Sequence, residues 1–153
     1  MARVYTMKFE NVTATAAQDL LAIYTGSSKA IIVHEVVVGQ VGVNTAAGLA
    51  LSMKILSGTL TNGSGGSTGT VVANNPNDTA ATVTGRTNDT TQASATTSVV
   101  HRAEVMQVVN GYQYLPPRED RFVCPASCIF VVSLDTAPAS MAISGTITFE
   151  EIP

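Results

Sequence analysis

The chain has 153 residues, of which 45% are hydrophobic and only 12% are charged. Soluble domains usually carry about 25% charged residues, so this surface is either rich in small polar residues or covered by partners after assembly. The formal net charge is −3 and the eight basic residues are scattered, which argues against a nucleic-acid-binding protein because such proteins carry a clustered basic face. No apolar run approaches the roughly 18 residues of a membrane span, so we expect neither nucleic acid nor a membrane as a partner.

Residues 1–24 predict a strand, a short helical turn and a second strand. Apolar and polar side chains alternate from Ala2 to Glu10, as in a strand with one buried face. In "TATAAQDLLAIY" the alanines and leucines are spaced like one helical face with Thr13 as the N-cap, so we expect one or two helical turns there. A short strand around Leu20–Tyr24 follows. The start of the chain has no apolar signal-peptide core, from which we expect synthesis in a cytoplasm.

Further along the chain, five segments predict strands. Residues 49–56 and 140–151 alternate apolar and polar side chains, which is typical of half-buried strands. Three others are apolar on both faces, which indicates central strands covered on both sides or strands whose outer face meets a partner. These are "AIIVHEVVVGQ", "TSVVHRAEVMQVV" and "CIFVVSL".

The strand pattern predicts an all-β protein. With about seven or eight strands, no βαβ alternation and Gly-, Pro- and Asn-rich connections, we expect one antiparallel β-sandwich over residues 1–153. A jelly roll is favoured over an immunoglobulin-like topology. The chain has no tryptophan and therefore lacks the Cys…Trp…Cys signature of immunoglobulin domains.

A low-complexity span, Gly58–Thr97, includes the stretch "TNGSGGSTGTV". A linker between two domains is one interpretation, but flanks of about 57 and 56 residues are each too small for a secure core. A phosphate-binding loop is another, but no Lys-[Ser/Thr] follows the glycines. We therefore expect one long loop of the sandwich, about residues 58–97, whose glycines allow unusual backbone conformations and which becomes ordered against a neighbour.

No residue pattern predicts catalysis. His34 and His101 each lie mid-strand beside a charged residue, so a metal pair or a general base is conceivable, but a surface or interface imidazole is the simpler interpretation. Glu119 and Asp120 lie between arginines and indicate a solvated loop rather than a glycosidase pair. The "NPND" and "TNDT" segments favour Asx turns over a calcium site. We therefore expect no enzyme activity, no metal and no cofactor.

Cys124 and Cys128 are the two cysteines of the chain. On an extended strand they would lie about 13 Å apart, which is too far for a disulfide, whereas a turn at Pro125–Ser127 could bring them together. Two buried thiols are the favoured interpretation, and a local disulfide stays open. A metal site would lack its other two ligands.

The segment "GYQYLPP" places Tyr112 and Tyr114 on one side of an extended chain, and the prolines then force a non-helical exit. The two tyrosines either cap the core at a strand end or contact an assembly partner or ligand. The second interpretation rests on the large amphipathic area that tyrosine offers at low entropic cost.

Six segments carry a family resemblance, namely "MARVYTMKFENVTATAAQDLL", "GSGGSTGT", "NPND", "RTNDTTQAS", "NGYQYLPP" and "SGTITFEE". Spread over nearly the whole chain, they resemble a family of small virion-associated structural proteins of tailed bacteriophages. The resemblance implies a head decoration (cement) protein. Such proteins are β-rich, commonly trimeric, and sit on the expanded capsid, where they clamp neighbouring capsomers. "CPASC" is not part of the family pattern.

The resemblance implies two partners: other copies of the chain, as a homo-oligomer and specifically a trimer, and the phage major capsid protein. The expected location is the outer surface of the virion head, after synthesis in the host cytoplasm. The alternative is a tail or fibre module that binds glycans or the host surface. Candidate assembly contacts lie in the N-terminal arm, the long loop and the Tyr-Pro element, and they are Arg3, Val4, Tyr5, Asn62, Gly65, Asn75, Arg86, Tyr112, Tyr114 and Pro116.

Overall fold

A computed structural model of the chain, which describes residues 3–42, 48–107 and 109–152, is all-β. Within these residues there are twelve strands and one short 3₁₀ turn at Arg118–Asp120. In chain order the strands are β1 (Arg3–Ala14), β2 (Gln18–Tyr24), β3 (Ala30–Val41), β4 (Gly48–Thr61), β5 (Ser67–Gly69), β6 (Val71–Ala73), β7 (Thr84–Asp89), β8 (Ser94–Gln107), β9 (Tyr112–Tyr114), β10 (Val123–Cys124), β11 (Ile129–Leu134) and β12 (Met141–Ile152).

The strands form two antiparallel sheets that pack face to face as a β-sandwich. The first sheet has the order β10-β3-β12-β1-β6, and β9 pairs with β3 as well; the second has the order β5-β7-β2-β11-β4-β8. The order of the long strands is that of a jelly roll. One sheet contains β1, β12, β3 and β9, and the other contains β2, β11, β4 and β8. The predicted antiparallel, jelly-roll-like sandwich is confirmed.

The core lies between the two sheets and follows the predicted alternation. In β1 the side chains of Tyr5, Met7 and Phe9 are buried while those between them are not. In β12 the same alternation buries Phe149, whose ring centroid lies 6.0 Å from that of Tyr5. Phe130 of the opposite sheet belongs to the same buried cluster. Alternation predicts this burial because successive side chains of a strand point to opposite faces.

The helical turns predicted after Thr13 are wrong. Thr13 lies in β1, and Gln18–Tyr24 form β2, in which every residue but Tyr24 is buried. β2 is a central strand between β7 and β11. Strands covered on both faces read as continuous apolar runs, and such a run can mimic the spacing of one helical face.

The long loop predicted at about 58–97 is also wrong, because the span carries strands β5, β6 and β7 and the ends of β4 and β8. It is an insertion between two strands that pair with each other. β6 pairs with β1 in the first sheet, and β7 and β5 extend the second sheet beyond β2. The Thr- and Gly-rich composition does not predict these strands, because their backbone N–H and C=O groups are hydrogen-bonded to residues that are distant in the sequence.

A second apolar layer covers the outer face of the second sheet. Its buried members are Ala22, Leu56, Ala93, Ile129 and Val131. Because β7 and β8 lie towards opposite ends of this sheet, their connection at 90–93 must cross its outer face. The insertion therefore covers the outer face of β11, which lies in the segment "CIFVVSL" that predicts a strand buried on both faces.

Candidate functional site

A groove with a volume of about 480 Å³ lies between β8 and the segment that connects β9 to β10. It is a concave site that combines rings, prolines and polar side chains, as ligand sites commonly do. The lining side chains are His101, Arg102, Gln113, Tyr114, Leu115, Pro116, Pro117, Asp120 and Phe122.

A β-bulge in β8 builds one wall of the groove. Arg102 pairs with Met53 and Val100 pairs with Lys54, so His101 is an extra residue between two consecutive pairs. Neighbouring side chains of a regular strand point to opposite faces, yet His101 and Arg102 both line the groove. A bulge is able to re-aim a side chain in this way. The sequence does not predict that His101 and Arg102 share the groove, because a regular strand would place their side chains on opposite faces.

The aromatic rings of the groove pack against each other. Tyr114 stacks on Phe122 with 4.9 Å between ring centroids and 7° between planes, and the Arg102 guanidinium lies 5.3 Å from the Tyr114 centroid. The Tyr114 hydroxyl donates to the Asp120 carbonyl at 2.9 Å. Burial raises the pKa of Tyr114. With 2% of its surface exposed, Tyr114 supports the groove rather than contacting a partner.

His101 and Arg102 are the exposed polar groups on the β8 side of the groove. The His101 ring lies 5.4 Å from the Phe122 ring, and Arg102 Nε lies 3.4 Å from Glu104 Oε1. Together the two side chains can hold an anionic or strongly polar group. On the opposite wall, Gln113 donates to Glu35 at 2.9 Å.

The two histidines do not form the conceivable metal pair. His34 lies on β3 with its Nε2 3.1 Å from Glu150 Oε2, while His101 lies on β8 in the other sheet. In the part of the chain that the structure describes, no group of three or more His, Cys, Asp or Glu side chains could hold a metal ion. The same residues contain no helix with the length and apolarity needed to cross a membrane.

The predicted N-terminal contacts belong to β1 and are tied to the insertion. Arg3 Nη1 donates to Thr79 Oγ1 at 2.5 Å, and the Tyr5 hydroxyl donates to the Thr79 carbonyl at 3.1 Å. The Val4 carbonyl accepts from the Asn74 amide at 2.9 Å. Tyr5 is fully buried, so it is a core residue and not a contact. Arg3 is exposed, and Ala2 lies outside the described residues.

The other predicted contacts differ in exposure. Asn62, Gly65 and Asn75 are exposed, and Asn75 Oδ1 accepts from the Asn77 amide at 3.1 Å, which is the predicted Asx turn. Tyr112 is half-buried against the core, and Pro116 is half-buried in the groove wall. The structure brings together only Tyr114 and Pro116 of the predicted contacts in the groove.

Arg86 is held inside the insertion by an ion pair. Its Nε and Nη2 donate to the two carboxylate oxygens of Asp89 at 2.8 and 2.6 Å, and the Gly66 amide donates to Asp89 Oδ1 at 3.1 Å. Asp89 is 1% exposed. Arg86 therefore stabilises the insertion, and it does not present a free guanidinium to a partner.

Asp19 is a second buried carboxylate, and it pairs in register with Asp89 across β2 and β7. Its Oδ1 accepts from the Ser133 hydroxyl at 2.5 Å and its Oδ2 accepts from the Ala93 amide at 2.7 Å. Burial is the main cause that raises the pKa of Asp19. Asp19 thus anchors the connection that crosses the outer face of the second sheet.

Asp19→Asn is expected to change how stability depends on pH. Because the pKa of Asp19 is raised in the folded state, its contribution to stability is full below the ordinary value of 3.8 and is lost as the pH rises through the raised pKa. The wild type should therefore lose stability relative to D19N as the pH rises from about 3.8 through the raised pKa of Asp19. Urea unfolding of both proteins at a series of pH values measures the difference.

A difference between D19N and wild type that stays constant over this range would contradict the expectation. Glu10→Gln is the contrasting variant, because Lys8 lowers the pKa of the exposed Glu10. Its effect has the opposite sign, since the contribution of Glu10 is lost as the pH falls.

The two cysteines are free and buried, so the structure contains two thiols and not the local disulfide that the turn would allow. Burial raises the pKa of Cys124 to about 12 and raises that of Cys128. Thr25 Oγ1 donates to the Pro125 carbonyl at 2.7 Å and accepts from the Cys128 amide at 3.0 Å. A buried thiol with a raised pKa is a weak nucleophile, and the "CPASC" turn is therefore structural.

No protein-family model matches the chain, and no curated protein or solved structure matches it either.

Proposed function

We propose that this chain is a non-enzymatic structural protein of a tailed-bacteriophage virion, which binds the outer surface of the head as an oligomer and stabilises contacts between capsomers. The family resemblance supports the phage assignment. The observation that carries an assembly role is that β8, a strand of 14 residues, forms an edge of the second sheet. Such an edge is a template for pairing with another chain.

The surface of β8 favours a protein partner over solvent. Of its side chains Met106 is buried, Ala95 and Glu104 are half-buried, and the others are exposed. The exposed ones include Val99, Val100 and Val105. A single contact of this kind is weak, but many copies on a lattice reach a high effective concentration. A protein with 12% charged residues also has a surface that neighbours can cover at low desolvation cost.

Purified protein is expected to bind expanded, decoration-free heads of a tailed phage that encodes this chain. Co-sedimentation should saturate at a fixed number of copies per head, and bound heads should resist thermal disruption better than bare heads. Unexpanded heads are the control, because a decoration protein clamps capsomers in their expanded positions. Absence of binding to expanded heads, with correctly folded protein, would overturn the proposal.

The groove supports one second candidate, a tail or fibre module that binds a glycan or the host surface. The His101 ring and the Arg102 guanidinium converge there with Asp120, and such convergent polar groups are what a sugar site needs. The stacking of Tyr114 on Phe122 works against it, because a stacked pair leaves less ring surface for a sugar. Binding to host cells or glycans, with none to heads, would favour this candidate.

A further inference from the structure

We propose that two copies of this chain pair through the free edges of their β8 strands, antiparallel and about a two-fold axis at Ala103. The contact joins two second sheets into one continuous sheet. It goes beyond the virion role and can be tested on purified protein alone. Its failure would remove the oligomeric part of the proposed function but not the binding to heads, and failure of head binding would leave this contact untouched.

The first step is that β8 is the long unprotected edge of the sandwich. Along residues 94–106 its only strand partner within the described chain is β4, and the bridge from Gln107 to Gly111 lies beyond that stretch. The other sheet ends carry the short strands β5, β6, β9 and β10, which have two or three residues each. The part of β1 that β6 leaves uncovered is interrupted by a bulge between Phe9 and Val12. Short strands are a common protection of sheet edges. A strand of 14 residues lacks that protection, and another strand would satisfy its outward N–H and C=O groups.

The charges of β8 favour a second copy of the chain as the strand that pairs with this edge. Arg102 and Glu104 lie two positions apart on one face of the strand, with opposite signs on either side of Ala103. In an antiparallel pair centred on Ala103, Arg102 of each copy faces Glu104 of the other copy. Centred one residue earlier or later, Arg102 would face Arg102 or Glu104 would face Glu104. Opposite charges directly across a sheet are favourable and like charges are unfavourable.

The bulge sets the length of the contact. His101 is the bulged residue, so β8 runs regularly from Arg102 to Gln107, and the three central pairs lie in this regular part in both copies. Val105, which is 69% exposed, then comes beside His101 of the second copy. A short contact of this kind is reversible. Because the same patch is used by both copies, it closes at two copies, whereas the family resemblance implies three.

Charge reversal tests the pairing. R102E sets two carboxylates against each other at both charged pairs, and E104R sets two guanidinium groups against each other there. Each single variant should therefore weaken the dimer roughly tenfold or more. R102E/E104R restores two opposite-charge pairs and should recover the wild-type dissociation constant to within about threefold. Sedimentation equilibrium of the four proteins measures the constants, and thermal unfolding identifies any variant that is misfolded.

Three results would overturn the proposal: a wild type that stays monomeric to about 1 mM, a wild type with the mass of a trimer, or a double variant as weak as the singles. A cysteine pair keeps the test decisive if a charge variant fails to fold. A103C faces itself across the axis and should give a covalent dimer with an added oxidant. V105C should not, because its two copies lie about 13 Å apart, beyond disulfide reach.

The native cysteines are buried and do not interfere with this crosslinking. Equal crosslinking of A103C and V105C, or none in A103C, contradicts the register. Replacing Ala103 with lysine should abolish the dimer, since two lysines would meet at the axis. Val72→Lys is the matched control, because Val72 is exposed on β6 at an edge of the other sheet.

Discussion

Asp89→Ala is expected to lower the free energy of unfolding by about 2–4 kcal/mol. Asp89 is 1% exposed and accepts three hydrogen bonds, two from Arg86 and one from the Gly66 amide. Its removal leaves the Gly66 amide without its carboxylate partner and leaves the guanidinium of Arg86 uncompensated. The Arg86 side chain is 26% exposed and can turn towards water, which keeps the loss below that of a fully buried pair.

Chemical denaturation of D89A and wild type measures this loss. Glu10→Ala is the matched control, because Glu10 forms an ion pair with Lys8 at 2.5 Å while both side chains are exposed. Exposed pairs contribute little, so E10A should unfold like the wild type. Equal losses in D89A and E10A would show that the buried ion pair does not hold the insertion.

Gly66→Ala is expected to destabilise the protein by about 2–4 kcal/mol. A Cβ at Gly66 would lie 2.1 Å from the Thr87 carbonyl oxygen and 2.5 Å from the Asn88 carbonyl carbon. Both atoms belong to the backbone, so no side chain can move away to make room. The segment that precedes β5 must move away from the β7 backbone, and the hydrogen bond from the Gly66 amide to Asp89 would be strained.

The matched control for this variant is Gly39→Ala. Gly39 also lies in a strand, β3, but a Cβ there meets nothing within 4 Å. G39A should therefore be neutral or slightly stabilising, because alanine has less conformational freedom than glycine to lose on folding. Thermal unfolding of both variants decides the point. If G66A is as stable as G39A, the segment that precedes β5 is not packed tightly against β7.

D89A and G66A both concern the stretch "TNGSGGSTGTV", whose composition suggests a flexible linker, because Asp89 accepts a hydrogen bond from the Gly66 amide. Gly66 lies against the backbone of β7, and Ser67–Gly69 form β5, which pairs with β7. Glycine is required here because the two backbones approach too closely for any Cβ. Part of the stretch therefore belongs to the second sheet, and contacts within its own chain hold it there.

The long edge strand and the insertion have complementary roles in the proposed assembly protein. The insertion widens both sheets and covers the outer face of the second one. β8 stays open at the opposite end of that sheet from β5. A sandwich with a long open edge suits a protein that binds its neighbours through strand pairing.

The sequence by itself determined the strands with one buried face and hence the all-β sandwich, because alternation is a local property of an extended chain. It also determined the Asx turn at Asn75, which needs only a neighbouring amide. The strand expected around Leu20–Tyr24 is present as β2. Its start and the residues before it are predicted as helical turns, since burial on both faces removes the alternation that identifies a strand.

Only the tertiary structure decided where the functional groups meet. His101 and Arg102 share the groove because of a bulge whose position depends on the register with β4. Asp19 and Asp89 lie in adjacent strands although 70 residues separate them in the chain. The insertion is ordered because its backbone finds partners in β1 and β2. Such pairings join residues that are far apart in the sequence, so local composition does not predict them.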